Sequence, residues 1–129
     1  MIVLDTHAWI WWVSEPAKLS PKALAAINYA RTVGIVPISC WEIATKVAQG
    51  KLTLDRSLRQ WVRQALGRPG VILMALSADI AIRAGELGQH GFHGDPADRL
   101  IVATAIEHGA ELVSKDRHIR AFAHVRTVW

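Results

Sequence analysis

Residues 95–116 read DPADRLIVATAIEHGAELVSKD, and this stretch holds a helix, a turn, a strand and an acidic residue in direct succession. Asp95-Pro96 is a typical helix start, because aspartate caps the first free N–H groups and proline fits the first helical position. An apolar helical pattern covers residues 100–106, and Leu112-Val113 then has the character of a buried strand. Asp116 follows this strand and is placed to begin the next helix.

The same alternation of strand and helix patterns runs through the rest of the chain. Apolar runs of strand length cover residues 2–4, 35–38 and 71–76, and residues 125–128 fit a terminal edge strand. Gly34 is expected to interrupt the chain before the second strand, and helices are predicted to begin at Ser20-Pro21, Ser39 and Ser77. This alternation predicts an α/β fold with helices on both faces of a mostly parallel sheet, and it leaves the strand order open.

The composition limits the class of protein. A chain of 129 residues, 51% of them hydrophobic, is expected to form one domain over residues 1–129. The single cysteine, Cys40, allows no internal disulfide, and no apolar run approaches the roughly 20 residues of a membrane span. We therefore expect a cytoplasmic protein, whose net charge of +4 favours a polyanionic partner without proving one.

Four acidic residues stand where an apolar stretch gives way to a helix start: Asp5, Glu42, Asp98 and Asp116. Because the strands of a parallel sheet end at one edge, these carboxylates are expected to converge in one crevice. Each acid also has a simpler interpretation as a helix cap, and the spacing of Ser39 and Glu42 matches a capping box.

The energies favour a cation if the four acids do meet. Two like charges about 4 Å apart repel by roughly 4 kcal/mol near a protein surface, whereas a cap contributes about 1 kcal/mol. A tight cluster therefore requires neutralisation, and carboxylate oxygens are the ligands that suit Mg²⁺ or Mn²⁺.

Four longer segments form a recognisable set: MIVLDTHAWIWW at 1–12, PISCWEIATKVAQGKL at 37–52, GDPADRLIVATA at 94–105 and LVSKDRHI at 112–119. In this order, and over nearly the whole chain, they resemble the PIN-domain family, and within it the VapC-type toxins of toxin–antitoxin pairs. The resemblance implies a three-layer α/β/α sandwich with a central parallel sheet. It also implies metal-dependent endonucleolytic cleavage of RNA that leaves 5′-phosphate and 3′-hydroxyl ends.

The resemblance also implies roles for individual residues. One or two Mg²⁺ ions, with Mn²⁺ as a substitute, are expected at the family's catalytic acidic quartet, which corresponds here to Asp5, Glu42, Asp98 and Asp116. The hydroxyls of Thr6 and Ser114 are expected to support these acids, as is Asp95, for which a capping role is favoured over an outer-shell ligand. The implied partners are an RNA substrate, a cognate antitoxin and a second copy of the chain in a homodimer.

Other functions remain open to different degrees. The main alternative is a non-catalytic RNA- or protein-binding module of the same fold, in which the acids serve only as caps and in ion-dependent stability. An aspartyl-nucleophile phosphatase would lack its general acid, since His7 stands at that position, and a receiver-like phosphoacceptor would leave Glu42 without a role. No zinc site is predicted, because His90 and His93 have no second ligand pair at zinc spacing.

Basic and aromatic residues have several interpretations. A phosphate contact is one interpretation of Arg99, and an ordinary surface or ion-paired arginine is at least as good, so Arg99 is not counted among the catalytic residues. An electropositive rim that guides RNA is one interpretation of Lys46, Lys51, Arg56, Arg59 and Arg63, although an ordinary solvated helix face is the stronger one. Base stacking, a protein interface and simple burial are all open for the tryptophans nearest the acids, which are Trp9, Trp12 and Trp41.

Overall fold

Five short strands form one parallel sheet in the computed structural model, which describes residues 1–129. They are β1 (Ile2–Leu4), β2 (Val33–Ile35), β3 (Val71–Leu73), β4 (Glu111–Val113) and β5 (Thr127–Val128), in the spatial order β3-β2-β1-β4-β5. The chain builds outward from β1 to β3 and then returns to the other side of β1. The carboxyl ends of β1 and β4 therefore flank a topological switch point, where open α/β sheets usually bind their ligands.

Seven helices connect or follow the strands: α1 (Thr6–Ser14), α2 (Pro21–Tyr29), α3 (Pro37–Ala48), α4 (Leu58–Leu66), α5 (Ala78–Glu86), α6 (Pro96–Glu107) and α7 (Arg117–Ala121). Every helix except α3 begins after a residue whose side-chain oxygen accepts a backbone N–H, as serine and aspartate caps do. These caps are Asp5, Ser20, Ser57, Ser77, Asp95 and Asp116. None of the helices combines the length and apolar character needed to cross a membrane.

Successive residues of β1 face opposite helical layers, as the pleat of a strand requires. Leu4 belongs to a buried cluster that includes Trp9 of α1 and Trp61 of α4. Val3 belongs to a second cluster that includes Ile101 of α6 and Ile119 of α7. Helices thus cover both faces of the sheet, and all its strand pairs are parallel, which confirms the predicted three-layer α/β/α architecture.

The predicted bounds of three strands are corrected. β2 covers Val33–Ile35 rather than 35–38, β5 covers Thr127–Val128 rather than 125–128, and β3 is shorter than predicted. Gly34 lies inside β2 rather than before it, and a Cβ at this position would come 2.3 Å from the Sδ atom of Met74. The glycine therefore makes room for methionine on that face of the sheet. The strand predicted over residues 71–76 ends at Leu73, although the N–H of Met74 still donates to the carbonyl of Ile35 at 2.8 Å.

The predicted start of α3 is also wrong. The helix begins at Pro37 rather than after Ser39, because proline at the first helical position already sets the helical φ. Its N-cap is Val36, which has no side-chain oxygen to offer. Ser39 and Glu42 consequently form no capping box, and Glu42 lies in the second turn of the helix rather than the first.

Candidate active site

Asp5 lies at the switch point, between the ends of the two central strands. Its carboxylate accepts the N–H of Ala8 at 2.8 Å and so caps α1, while its own N–H donates to the carbonyl of Val113 at 3.1 Å. The residue is only 7% exposed. Burial raises the pKa of Asp5 and the charge of Asp116 adds to the rise, while hydrogen bonds from Ser114 and Ala8 oppose it.

Ser114 and Asp116 occupy the neighbouring strand end. The Ser114 hydroxyl is fully buried and accepts the N–H of Asp116 at 3.1 Å. Asp116 caps α7 by accepting the N–H groups of His118 and Ile119, at 2.8 and 3.0 Å. The Ser114 hydroxyl, which was expected to support the acids, therefore contacts the backbone N–H of Asp116 and the carboxylate of Asp5.

Glu42 is directed to the same edge through a side chain of α1. The hydroxyl of Thr6 donates to Oε1 of Glu42 and lies 2.8 Å from Oγ of Ser39. Thr6 and Ser39 are both buried, so this hydroxyl pair joins α1 to α3 inside the protein. The sequence does not identify Ser39 as a site residue. It stands three residues before Glu42, and this spacing occurs both in a capping box and between neighbours on one face of a helix. The structure shows the second arrangement.

Asp98 lies in the first turn of α6, where its N–H donates to the capping carboxylate of Asp95 at 2.8 Å. The capping role favoured for Asp95 is therefore present in the structure. Partial burial raises the pKa of Asp98 to about 7, helped by the negative charges of Asp95, Glu42, Asp116 and Asp5. The five carboxylates share one electrostatic environment, and we call these residues the acidic cluster.

The acidic cluster has the chemistry of a site for a hard divalent cation. Its donors are all carboxylate oxygens, and a cation would relieve the repulsion that raises the pKa of Asp98. No three His, Cys, Asp or Glu side chains stand close enough together to form a ligand group for a metal ion. Donor type and charge thus fit Mg²⁺ or Mn²⁺, whereas the side chains are not arranged as a finished coordination shell.

The tryptophans near the acids have different environments. Trp9 is fully buried and packs edge-on against Trp61, with ring centroids 5.2 Å apart. Trp12 lies under the guanidinium of Arg68, which is 4.8 Å from its ring centroid. Trp41 is 60% exposed and lines a cavity of about 310 Å³ together with Glu42 and Asp95. Of the three, Trp41 is the indole that borders the acidic cluster at the surface.

The basic residues also separate into two groups. Arg99 donates from Nε to the carbonyl of Gly94 at 2.7 Å, so it anchors the loop before α6. Arg56 pairs with Asp55. Arg59 and Arg63 form no salt bridge and line a cavity of about 390 Å³ along α4. Within the predicted rim, Arg56 is paired, whereas Arg59 and Arg63, like Lys46 and Lys51, keep their charge free for a partner.

Comparisons with known proteins agree with this fold. A sequence model of the PIN domain matches residues 2–125. The chain is 40% identical to Ribonuclease VapC22 of Mycobacterium tuberculosis over 130 aligned residues, which cover 99% of this chain and 98% of that protein.

Solved structures of similar fold include VapBC2 from Rickettsia felis, bound to a DNA fragment from its promoter, and VapBC-1 from nontypeable Haemophilus influenzae. The first has a TM-score of 0.71 at 20% identity and covers 98% of this chain and 97% of its own. The second has a TM-score of 0.69 at 18% identity, with coverage of 98% and 96%.

Proposed function

This chain belongs to the PIN-domain family, and we propose from that premise that it is a metal-dependent endoribonuclease, the toxin of a toxin–antitoxin pair. Full-length similarity to a protein named as a ribonuclease supports the reaction class. The observation that carries the proposal for this site is the gathering of five carboxylates at one edge of the sheet. Their charges, together with burial, raise the pKa of Asp98 to about 7. Helix capping accounts for Asp5, Asp95 and Asp116, but it gives no reason to place Glu42 and Asp98 among them.

In this proposal Asp5, Glu42, Asp98 and Asp116 hold one or two Mg²⁺ or Mn²⁺ ions. Such a cation, when bound, lowers the pKa of water and offsets the negative charge that develops on the scissile phosphate. Because the pKa of Asp98 is about 7, occupation of the site near neutral pH releases a proton from this carboxyl group.

The remaining residues position the acids. Thr6 fixes the orientation of Glu42 by donating to Oε1, and Ser39 in turn holds the Thr6 hydroxyl. Ser114 stabilises the charged form of Asp5, as the lowering of its pKa by this hydrogen bond indicates. Asp95 keeps the first turn of α6 in place through the N–H of Asp98. Fixed carboxylates lose little freedom when the reaction begins, which favours catalysis.

The proposed partners follow from the relatives. The similar solved structures include VapBC complexes and a toxin–antitoxin complex from Klebsiella pneumoniae, which supports an antitoxin as the partner of this chain. We include in the proposal an RNA substrate, a homodimer as the assembly unit and a cytoplasmic location. Light scattering of the purified protein, alone and with its antitoxin, measures the two assemblies directly.

The test is cleavage of total RNA by protein freed of any bound partner, with Mn²⁺ or Mg²⁺ added. We expect Asp98→Asn to reduce the cleavage rate by roughly a hundredfold or more, because a charged group at the reaction centre is lost at nearly unchanged volume. The matched control is Asp79→Asn, which changes an exposed acid in the first turn of α5 and should keep full activity.

Two results would count against the proposal. Undiminished cleavage by Asp98→Asn would remove this residue from the site. If the wild-type protein cleaved no RNA while Mn²⁺ still raised its melting temperature, the non-catalytic binding module would be the better description.

A further inference from the structure

A cavity of about 590 Å³ lies beside the acidic cluster and is lined by four histidines. His90 and His93 come from the segment before α6, whereas His118 belongs to α7 and His124 follows it. All four side chains are exposed, and the rings of His90 and His124 have centroids 5.5 Å apart. The structure thus brings together histidines that are far apart in the sequence.

The floor of this histidine cavity is aromatic. Phe92 and Phe122 are 2% and 7% exposed, and their ring centroids are 5.2 Å apart. The ring of His124 stands 5.0 Å from that of Phe122. The cavity therefore combines an apolar base with imidazole rings that can both donate and accept hydrogen bonds.

The walls of the histidine cavity continue into the acidic cluster. Gly94 directly precedes Asp95, and a Cβ on Gly94 would lie 2.6 Å from the ring of Phe92 and 3.3 Å from Cβ of Asp98. On the other side, the N–H of His118 donates to the carboxylate of Asp116. Gly94, which has no side chain, is therefore the residue that stands between Phe92 and Asp98, where the cavity and the acidic cluster meet.

The loop that forms one wall is held in place. Arg99 donates to the carbonyl of Gly94 at 2.7 Å, and the N–H of Phe92 donates to the carbonyl of Leu87 at 3.1 Å. Gly91 turns the loop with φ of +90°, a conformation that other residues rarely adopt. The histidine cavity is accordingly formed before any ligand arrives, as small-molecule sites usually are.

The lining suits an unpaired nucleobase. Single-stranded RNA is commonly recognised by stacking of bases on aromatic rings, including histidine, and by hydrogen bonds to base edges. No carboxylate lines the cavity. The lining therefore does not repel the negatively charged phosphate that stays at the cavity mouth when a base enters.

We propose that the histidine cavity is a nucleobase subsite, which binds one unpaired base of the RNA beside the phosphate held at the acidic cluster. The inference rests on the proposed ribonuclease function. It adds a site that would give the enzyme a preference for particular bases next to the cleaved bond. His90 and His124 contact the base at the rim, and their loss weakens binding without removing a group that acts on the phosphate.

The first test measures binding of a fluorescent single-stranded RNA pool, randomised in sequence, with a chelator present so that no cleavage occurs. Stacking of one base changes affinity by roughly tenfold, so we expect the double substitution His90→Ala and His124→Ala to raise the Kd by about that factor. The control is His108→Ala, an exposed histidine after α6 that does not line the cavity and should leave the Kd unchanged. An equal Kd for the double variant and the wild type overturns the subsite, whatever the outcome of cleavage.

A second measurement separates the two proposals. The same pool is cleaved with Mn²⁺ and the new ends are sequenced. We expect the double variant to keep kcat within about twofold, raise KM roughly tenfold and lose base preference next to the cleaved bond. If the wild type cleaves and the variant keeps its preference and KM, the subsite is refuted and the nuclease stands. If the wild type does not cleave, the nuclease fails, and the binding comparison alone decides whether the cavity holds a base.

Discussion

The carboxyl of Asp98 lies where the fold opposes its ionisation. Its pKa rises from 3.8 to about 7, so the folded protein holds a proton between these pH values that the unfolded chain has already released. The resulting stabilisation is fully present below about pH 4 and is lost as the pH rises through about 7. Without a cation, ionisation of Asp98 should therefore lower the free energy of unfolding at and above neutral pH.

This residue gives a prediction for stability against pH. In a chelating buffer, the melting temperature of the wild type should fall, relative to that of Asp98→Asn, as the pH rises from about 4 to about 7. The increase caused by Mn²⁺ should be larger at about pH 8 than at about pH 5.5, because the carboxyl must lose its proton first. Parallel curves for the two proteins across this range would show that Asp98 is not the titrating group. Scanning calorimetry measures both effects.

Individual residues differ in how far the sequence reveals them. Asp95 is recognisable as a cap, because the Asp-Pro pair has one strong local meaning. Ser39 is not recognisable as a site residue. Because α3 already begins at Pro37, Ser39 and Glu42 lie on one face of the helix instead of forming a cap at its start. The histidine cavity has no local signal at all, because α6 and β4 separate its two halves along the chain.

Between elements, the contact of Thr6 with Ser39 and Glu42 decides how α1 meets α3. We expect Thr6→Val to lower the free energy of unfolding by about 1–3 kcal/mol, because the buried Ser39 hydroxyl loses its partner. Cleavage should fall as well, since Glu42 loses the donor that orients it. The control is Thr45→Val, whose hydroxyl bonds only to the carbonyl of Trp41 and should change stability by less than about 0.5 kcal/mol. Urea denaturation of the three proteins measures the difference, and equal values for both variants would contradict it.

The interior of β2 gives a second prediction at this scale. Gly34→Ala places a methyl group 2.3 Å from the present position of the Met74 sulfur, so that side chain must move. We expect a loss of about 1–3 kcal/mol in the free energy of unfolding, as for other overpacked cores.

A second glycine provides the comparison. Gly85→Ala in α5 meets no atom within 4 Å and should stabilise the protein by about 0.5–1 kcal/mol, because alanine is the better helix former. The opposite signs are the test, and a neutral Gly34→Ala would mean that Met74 repacks without strain.

Across the whole molecule, the strand order creates the site, because it sets Asp5 and Asp116 at neighbouring strand ends. The alternation of strand and helix patterns predicts the parallel sheet and its two helical layers. It does not predict that β1 pairs with β4, since this pairing joins Ile2 to Glu111 and depends on tertiary packing alone. The convergence of the acids is therefore foreseeable from the parallel arrangement, whereas their exact neighbours are not.

The charge of the molecule gives the last prediction. Arg59 and Arg63 form no salt bridge, so both can contact RNA phosphates. Replacing both with alanine should weaken binding of single-stranded RNA and reduce the slope of log K against log salt by about 1.4. Arg83→Ala serves as the control, because Arg83 is already paired with Glu107. A slope that stays unchanged would mean that α4 is an ordinary solvated face.

The separation of the indoles has a practical consequence for spectroscopy. Trp9 and Trp61 are shielded in the interior, so their emission should be blue-shifted and insensitive to iodide, and their close pairing should give a near-ultraviolet dichroism that disappears on unfolding. Trp41 is open to solvent beside two of the acids, so iodide should quench it until a ligand covers it. The near-ultraviolet dichroism can therefore report the integrity of the core, while a ligand-dependent loss of iodide quenching reports the occupancy of the surface beside Glu42 and Asp95.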